Sequence, residues 1–317
     1  MMSNKMKAAF VTEFGEPNQI ETGELDRPEP DEGEVLVNVK SAGVNPVDAA
    51  IVRGMLNEVI PSKFPMIPGW DMAGVVEQCG HSASRFSEGD EVYAYARRPI
   101  IQHGSFAEYI SLPESYLAHR PAKLTMEESG GIPLVGLTAY QSLFDAGNLQ
   151  EGQTVLILGA SGGVGTLAIQ LAKWKGANVI GVASKTNHDY MRELGADETI
   201  DYKENHVGEA VQKLQPEGVD FIYHCSRGNS LEQSIDTLKS GGHLVSITKS
   251  QPEIPDNIQF QYVFVEPNAV QLKHLAELAD KGHIKLPVTE KFGLDETGKA
   301  LQRIETLHTK GKLVITP

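Results

Sequence analysis

A chain of 317 residues with 40% apolar composition is long enough for two domains with ordinary buried cores. Its formal charge of −14, with lysines and arginines scattered rather than gathered into one stripe, would repel a phosphodiester backbone and argues against a nucleic-acid partner. No run approaches the roughly 18 apolar residues of a membrane span. The start MMSNKMKAAF shows no apolar signal region, and two cysteines, Cys79 and Cys225, are too few for a disulfide framework. A cytoplasmic protein with no membrane partner is expected.

Residues 7 to about 120 read as β-rich, with alternating segments such as VLVNVKSAGV (Val35 to Val44) and a turn signal at Glu88-Gly89-Asp90. From Gly152 apolar strand-like runs alternate with helical stretches: TVLILGA, then GGVGTLAIQLAKWKG, then ANVIGVAS. Val164, Leu167, Ala168, Leu171 and Ala172 recur at helical spacing and put one stripe against a sheet. The βαβ units continue through VDFIYHC (Val219 to Cys225) and GHLVSIT (Gly242 to Thr248). IQFQYVFVEP (Ile258 to Pro267) alternates Phe260, Tyr262 and Phe264 with Gln259, Gln261 and Val263, the pattern of an edge strand with one apolar face; an internal last strand is the alternative. A helix over about Ala269 to Lys281, a strand over about Val288 to Lys291, another helix and the strand KLVITP close the chain.

The stretch LILGASGGVG (Leu156 to Gly165) combines a strand, a glycine turn and an amphipathic helix. It places free backbone N–H groups and the positive end of a helix dipole where a pyrophosphate can sit. Ala160, Ser161, Gly162, Gly163 and Val164 would form this cradle, with Gly162, Gly163 and Gly165 admitting close backbone approach; a tight turn without ligand is the plain alternative. The next strand ends about 20 residues on, where a dinucleotide fold reads the adenosine ribose. An NAD site usually offers Asp or Glu there, but this chain offers Ala183, Ser184 and Lys185, a hydroxyl and an ammonium suited to a 2′-phosphate. NADPH is therefore expected over NADH, against the reading of Lys185 as a solvated loop lysine.

The combination of NPVD (Asn45 to Asp48), PGWDMAGVV (Pro68 to Val76), GSFAEY (Gly104 to Tyr109), LTAYQSL (Leu137 to Leu143) and GASGGVG resembles the medium-chain dehydrogenase/reductase superfamily, in its zinc-free quinone oxidoreductase branch. The resemblance covers nearly the whole chain. It implies an α/β protein in which a Rossmann doubly wound parallel sheet, residues 125–269, is inserted into a GroES-like β-barrel catalytic domain, residues 1–124 and 270–317, with the active site in a cleft between them. It also implies a homodimer paired through the late Rossmann strands.

Zinc-dependent members hold a catalytic metal with cysteine and histidine. At the corresponding positions this chain has Asn45, Trp70 followed by Asp71, and Leu134, and no cysteine lies between Cys79 and Cys225 to build a structural zinc lobe. No metal is expected. Without a Lewis acid, reduction of a quinone or of a carbonyl conjugated to an alkene is easier than that of an isolated ketone, because the added charge spreads over several atoms. The resemblance places Asn45 beside the nicotinamide, where its amide would bond cofactor or reduced substrate, a turn asparagine before Pro46 being the alternative. It makes Thr138 a phosphate- or nicotinamide-side contact, and it places Ile247, Thr248, Phe264 and Val265 where later strands pass the nicotinamide. Tyr202 is set near the adenine and 2′-phosphate, or is a half-buried strand tyrosine, and Trp70 lines the substrate cleft or is a core residue. The tyrosine that better-known quinone reductases carry after the NPVD-like aspartate is absent, Ala49 and Ala50 standing there; His103 reads as an exposed loop histidine, reaching the cleft in its place being the alternative, and no general acid is assigned. The expected reaction is NADPH-dependent, zinc-independent hydride transfer to a small quinone or enone. The alternatives are an enone or 2-alkenal double-bond reductase without quinone activity, or a non-enzymatic NADPH-binding sensor or structural protein.

Overall fold

The computed structural model describes residues 5–307 and 309–317; the first four residues of the start read for a signal region lie outside them. The chain divides into two units, Met1–Leu134 with Glu266–Pro317, and Val135–Val265.

In the first unit, β-branched and aromatic residues at alternate positions favour the pleated backbone. The strands are β1 (Lys5–Phe10), β2 (Glu21–Asp26), β3 (Glu34–Val44), β4 (Ser62–Ile67), β5 (Asp71–Cys79), β6 (Glu91–Tyr95), β7 (Ile101–His103), β8 (Tyr109–Pro113) and β9 (Leu117–His119). Helix α1 (Pro46–Val52) opens with proline at its first position, where the missing N–H costs nothing. Helix α2 (Met126–Gly131) opens on a capping box: the Glu128 N–H donates to the Thr125 hydroxyl and the Thr125 N–H to the Glu128 carboxylate. Helix α3 (Pro133–Tyr140) runs on into a wider π turn, Gln141–Ala146.

The second unit alternates strand and helix: β10 (Thr154–Leu158), α4 (Gly163–Trp174), β11 (Asn178–Ala183), α5 (His188–Glu193), β12 (Glu198–Asp201), α6 (Val207–Leu214), β13 (Val219–His224), α7 (Ser230–Ser234), β14 (Leu238–Ser246) and β15 (Gln259–Tyr262). All six strands are parallel, in the order β12-β11-β10-β13-β14-β15. Every residue of β10 is buried, as a strand covered on both faces requires. On one face Leu156, Leu158, Ile180, Val182 and Ile222 pack with Val207, Val211 and Leu231 of α6 and α7. On the other, the Met191 sulfur of α5 lies close over Gly181, whose missing side chain admits it. This is a doubly wound sheet whose order reverses between β10 and β13, the place where such sheets receive ligands. Leu167, Ala168, Leu171 and Ala172 of α4 are buried as their spacing requires, while Val164, first in the same stripe, is half-buried; Thr166, Ile169 and Gln170 are buried too, so the helix is covered on more than one side. β15 lies at the edge of the sheet, with Tyr262 and Phe264 exposed.

The chain returns to the first unit through α8 (Ala269–Asp280), β16 (Val288–Gly293), α9 (Thr297–Glu305) and β17 (Lys312–Thr316). β16 outruns its expected end at Lys291 because β17 pairs with it as far as Gly293↔Thr316. The main sheet has the order β16-β17-β3-β5-β6-β9, with β8 also on β3. β17 runs antiparallel to β3, Leu313 opposite Val44, so the last strand of the chain lies against the segment that leads into Asn45.

Candidate nucleotide cradle and a buried polar network

At the switch point the Gly159 and Ala160 N–H groups donate to the Val182 carbonyl, both at 3.1 Å, and fold the chain sharply over the end of β10. A methyl group on Gly165 would stand 2.4 Å from the Gly159 carbonyl oxygen, so only hydrogen fits there. At Gly162 the nearest atom would be 3.6 Å away, so no internal crowding demands glycine at that position. The first-turn N–H groups of α4 have no intrahelical acceptor, and the N-cap residue Gly162 offers them no side-chain one. The donors, the dipole and the crowded Gly165 fit a dinucleotide pyrophosphate.

The polar residues at the end of β11 form a cluster. Ser184 Oγ lies 3.1 Å from Thr186 Oγ1, while Asn187 Nδ2 donates to Ser161 Oγ at 3.1 Å and to Ser184 Oγ at 3.3 Å. Asn187 thereby links the expected pyrophosphate loop to the expected ribose residues. By pattern alone Asn187 reads as an ordinary turn asparagine. Lys185 is exposed and pairs with Glu204 at 3.6 Å. Tyr202 is not the half-buried strand residue offered as an alternative: β12 stops at Asp201, and Tyr202 stands exposed in the following turn.

Ile247 and Thr248 follow the end of β14, and Phe264 and Val265 follow β15, on the same C-terminal edge of the sheet as the glycine loop. Phe264 is exposed and Val265 buried. Thr248 Oγ1 donates to the Ser226 carbonyl at 3.0 Å and lies 3.3 Å from His224 Nδ1. Burial lowers the His224 pKa to about 4, so its ring is neutral at pH 7. Thr138 is buried on α3, its carbonyl accepting from the Tyr223 hydroxyl at 3.4 Å.

In the first unit two of the three positions set against metal ligands, Asn45 and Leu134, converge on the carboxylate of Asp71, the residue after the third, Trp70. Asp71 accepts from Asn45 Nδ2 at 2.8 Å and from the Leu134 N–H at 2.5 Å. Lys312 Nζ lies 3.2 Å from the same carboxylate and donates to Asn45 Oδ1. The Lys312 side chain is 3% exposed and that of Asp71 fully buried. The amide of Asn45, the indole of Trp70 and the alkyl chain of Leu134 are not zinc ligands, and the one carboxylate among them, Asp71, is already paired with an ammonium, so the set does not fit a zinc ion. With its carbonyl on Lys312 and its amino group on Asp71, the Asn45 amide faces this network. Asp48 completes it, Oδ2 accepting the Asn45 N–H at 2.7 Å and Oδ1 buried without a partner. Burial raises the Asp48 pKa to about 8, leaving its carboxyl largely protonated at neutral pH. Burial also pushes Asp71 up, opposed by the Lys312 charge and the two N–H donors.

Asp48 and Lys312 escaped sequence reasoning, which reached Asp71 only as the residue after Trp70. The available signal was a charged residue opening each of two apolar strands, DMAGVV and KLVIT. Trp70, expected at the substrate cleft, is 3% exposed, its indole edge-on to Tyr95 at 5.9 Å, which is the arrangement of its core alternative. His103 is exposed as expected, at the end of β7 rather than in a loop.

Comparison with known proteins adds five findings. Residues 31–122 match the family described as "Alcohol dehydrogenase GroES-like domain" and residues 194–315 that described as "Zinc-binding dehydrogenase". The chain is 31% identical to a "Quinone-oxidoreductase homolog, chloroplastic" of Spinacia oleracea, over 93% of each chain. It is 31% identical to an "NADPH-dependent alkenal/one oxidoreductase, chloroplastic" of Arabidopsis thaliana, over 99% of this chain and 80% of that one. A solved structure of the quinone oxidoreductase from Coxiella burnetii superposes with a TM-score of 0.87 at 31% identity, covering 99% of each chain.

The buried carboxyl of Asp48 predicts a pH-dependent stability. An unfolded Asp titrates near 3.9 and the folded one at about 8, so between these values the folded chain keeps a proton that the unfolded chain has lost. The contribution is whole below the unfolded value and is lost as pH rises through about 8. Asp48→Asn, which keeps an acceptor for the Asn45 N–H, is expected to flatten the fall in denaturation midpoint between pH 5 and 8.5. An unchanged slope in the variant would assign the effect elsewhere.

Proposed function

Since the chain belongs to the medium-chain dehydrogenase/reductase superfamily, in its quinone-oxidoreductase-like branch, we propose that it is an NADPH-dependent, zinc-independent reductase of quinones and other conjugated carbonyl compounds. The observation that carries the reading is the glycine loop at the switch point, where Gly165 admits nothing larger than hydrogen and the first turn of α4 offers its N–H groups. Ala160 to Val164 would hold the pyrophosphate, Ser184, Lys185 and Asn187 the ribose phosphate, and Tyr202 the adenine. Thr138, Ile247, Thr248, Phe264 and Val265 would contact the nicotinamide side. Bound, the nicotinamide would supply the hydride.

Zinc independence is supported by the donor chemistry at Asn45, Asp71 and Leu134, where Lys312 already neutralises the one available anion. An isolated ketone gathers the charge of reduction on one oxygen and calls for a strong electrophile; a quinone or enone spreads that charge and does not. In this reading Asn45 acts through the network that holds α1 at its first turn. Trp70 supports the substrate wall from behind, against Tyr95. The kinship with an alkenal/one oxidoreductase favours a second form of the reading, reduction of the conjugated double bond without quinone turnover. Cytoplasmic placement belongs to the same proposal and rests on the two free thiols, Cys79 and Cys225.

A panel of a benzoquinone, a naphthoquinone, a 2-alkenal and a secondary alcohol/ketone pair tests the reaction. NADPH oxidation is expected with the quinones or the alkenal, unchanged by chelator, with the simple ketone slower by about 100-fold or more. Chelator-sensitive alcohol turnover alone would overturn it. We also propose a two-fold dimer formed along the free edge of β15, supported by the exposed aromatic side chains of Tyr262 and Phe264. Sedimentation at micromolar concentration should give twice the chain mass; 34.5 kDa alone would contradict the dimer.

A further inference from the structure

The preference for NADPH is read from the lack of a carboxylate at the end of β11, but the fold brings one in from the next strand. β11 and β12 are parallel with Ala183 opposite Asp201, so the turns that follow them, 184–187 and 202–204, emerge side by side. Glu204 Oε2 then lies 3.6 Å from Lys185 Nζ, both side chains well exposed. Lys203 Nζ stands 6.0 Å from the centre of the Tyr202 ring. Asp201 is buried and accepts the Lys203 N–H at 2.9 Å. On α5, Asp189 and Arg192 pair with each other at 3.0 Å. Glu204 is thus the carboxylate that meets the one cation assigned to the 2′-phosphate.

We propose that Glu204 is a specificity-determining residue of the cofactor site, holding Lys185 in the absence of a 2′-phosphate and weakening NADPH, but not NADH, when that phosphate must take its place. The proposal rests on the reading of this edge as the adenosine-ribose site. Its physics has two parts. An exposed lysine–carboxylate pair is weak, so a phosphate with two negative charges can displace it. The released carboxylate then remains within a few ångströms of the phosphate and repels it, an effect that water and salt limit to several-fold. The device sets the chain between strict NADPH and strict NADH use: Ser184, Thr186 and Asn187 offer hydroxyls and an amide that serve a ribose hydroxyl and a phosphate alike.

The test is equilibrium binding of NADPH and of NADH, each titrated against wild type, Glu204→Gln, Lys185→Gln and the double variant at low salt and at 0.5 M salt. Both side chains are exposed, so the variants should fold. Glu204→Gln is expected to tighten NADPH about 5-fold at low salt and to move NADH less than 2-fold. The gain should shrink at high salt and in the Lys185→Gln background, where no ammonium remains to be released. NADPH binding to Glu204→Gln that is unchanged or weaker would overturn the proposal. The underlying reading fails separately: if Lys185→Gln leaves NADPH affinity untouched, the 2′-phosphate is not read here. If Lys185→Gln weakens NADPH while Glu204→Gln changes nothing, the site stands and only the role of Glu204 falls.

Discussion

The ammonium of Lys312, buried between Asp71 and Asn45, is the interaction on which the first unit depends. An ion taken out of water costs several kcal/mol unless every partner is in place, and here the members of the network come from four parts of the chain. Lys312 opens the last strand, Asp71 opens β5, Asn45 precedes α1, and the Leu134 N–H lies at the start of α3. A register slip in any one of them would strand a charge in the core. The return of the C-terminal segment to a unit begun by the N-terminal residues is therefore a requirement of the core, and the strand that closes the chain is also the one that neutralises it.

The same network governs what chemistry the first unit can offer. Asp71 could serve a cation, but that place is taken by Lys312, and Asp48 contributes a carboxyl rather than a carboxylate at neutral pH. On the proposed zinc-independent reading, such a site would suit acceptors that disperse charge themselves. The second unit imposes an independent constraint, one of volume: the crowding at Gly165 and the Val182 carbonyl that holds the turn shape the backbone amides for an anion before any ligand arrives.

Much of this was legible in the sequence because it is local. Strands covered on both faces read as unbroken apolar runs, and the glycine loop declares itself by its place between a strand and an amphipathic helix. What stayed hidden depends on chain segments meeting across long separations. Lys312 reads as an ordinary lysine opening a strand until β17 is laid beside β3, which turns it inward on Asp71. Tyr202 is indistinguishable by pattern from a strand residue, since only the pairing of β12 shows the strand ending one residue earlier. Glu204 lies in the turn after a different strand from the one whose end was searched for a carboxylate, and the parallel pairing of β11 and β12 makes the two turns neighbours. Trp70 shows the limit of residue type as a guide: a large aromatic beside a ligand position packs against Tyr95 as readily as against a substrate.

The central claim is hydride transfer from the nicotinamide to an acceptor activated by conjugation, and isotope transfer tests it most directly. With NADPH deuterated at the transferring face of C4 and a 2-alkenal as acceptor, in the presence of chelator, the product is expected to be the saturated aldehyde carrying one deuterium on its β-carbon. Deuterium on the carbonyl carbon of an allylic alcohol, or a reduced product with no deuterium on carbon, would contradict the account.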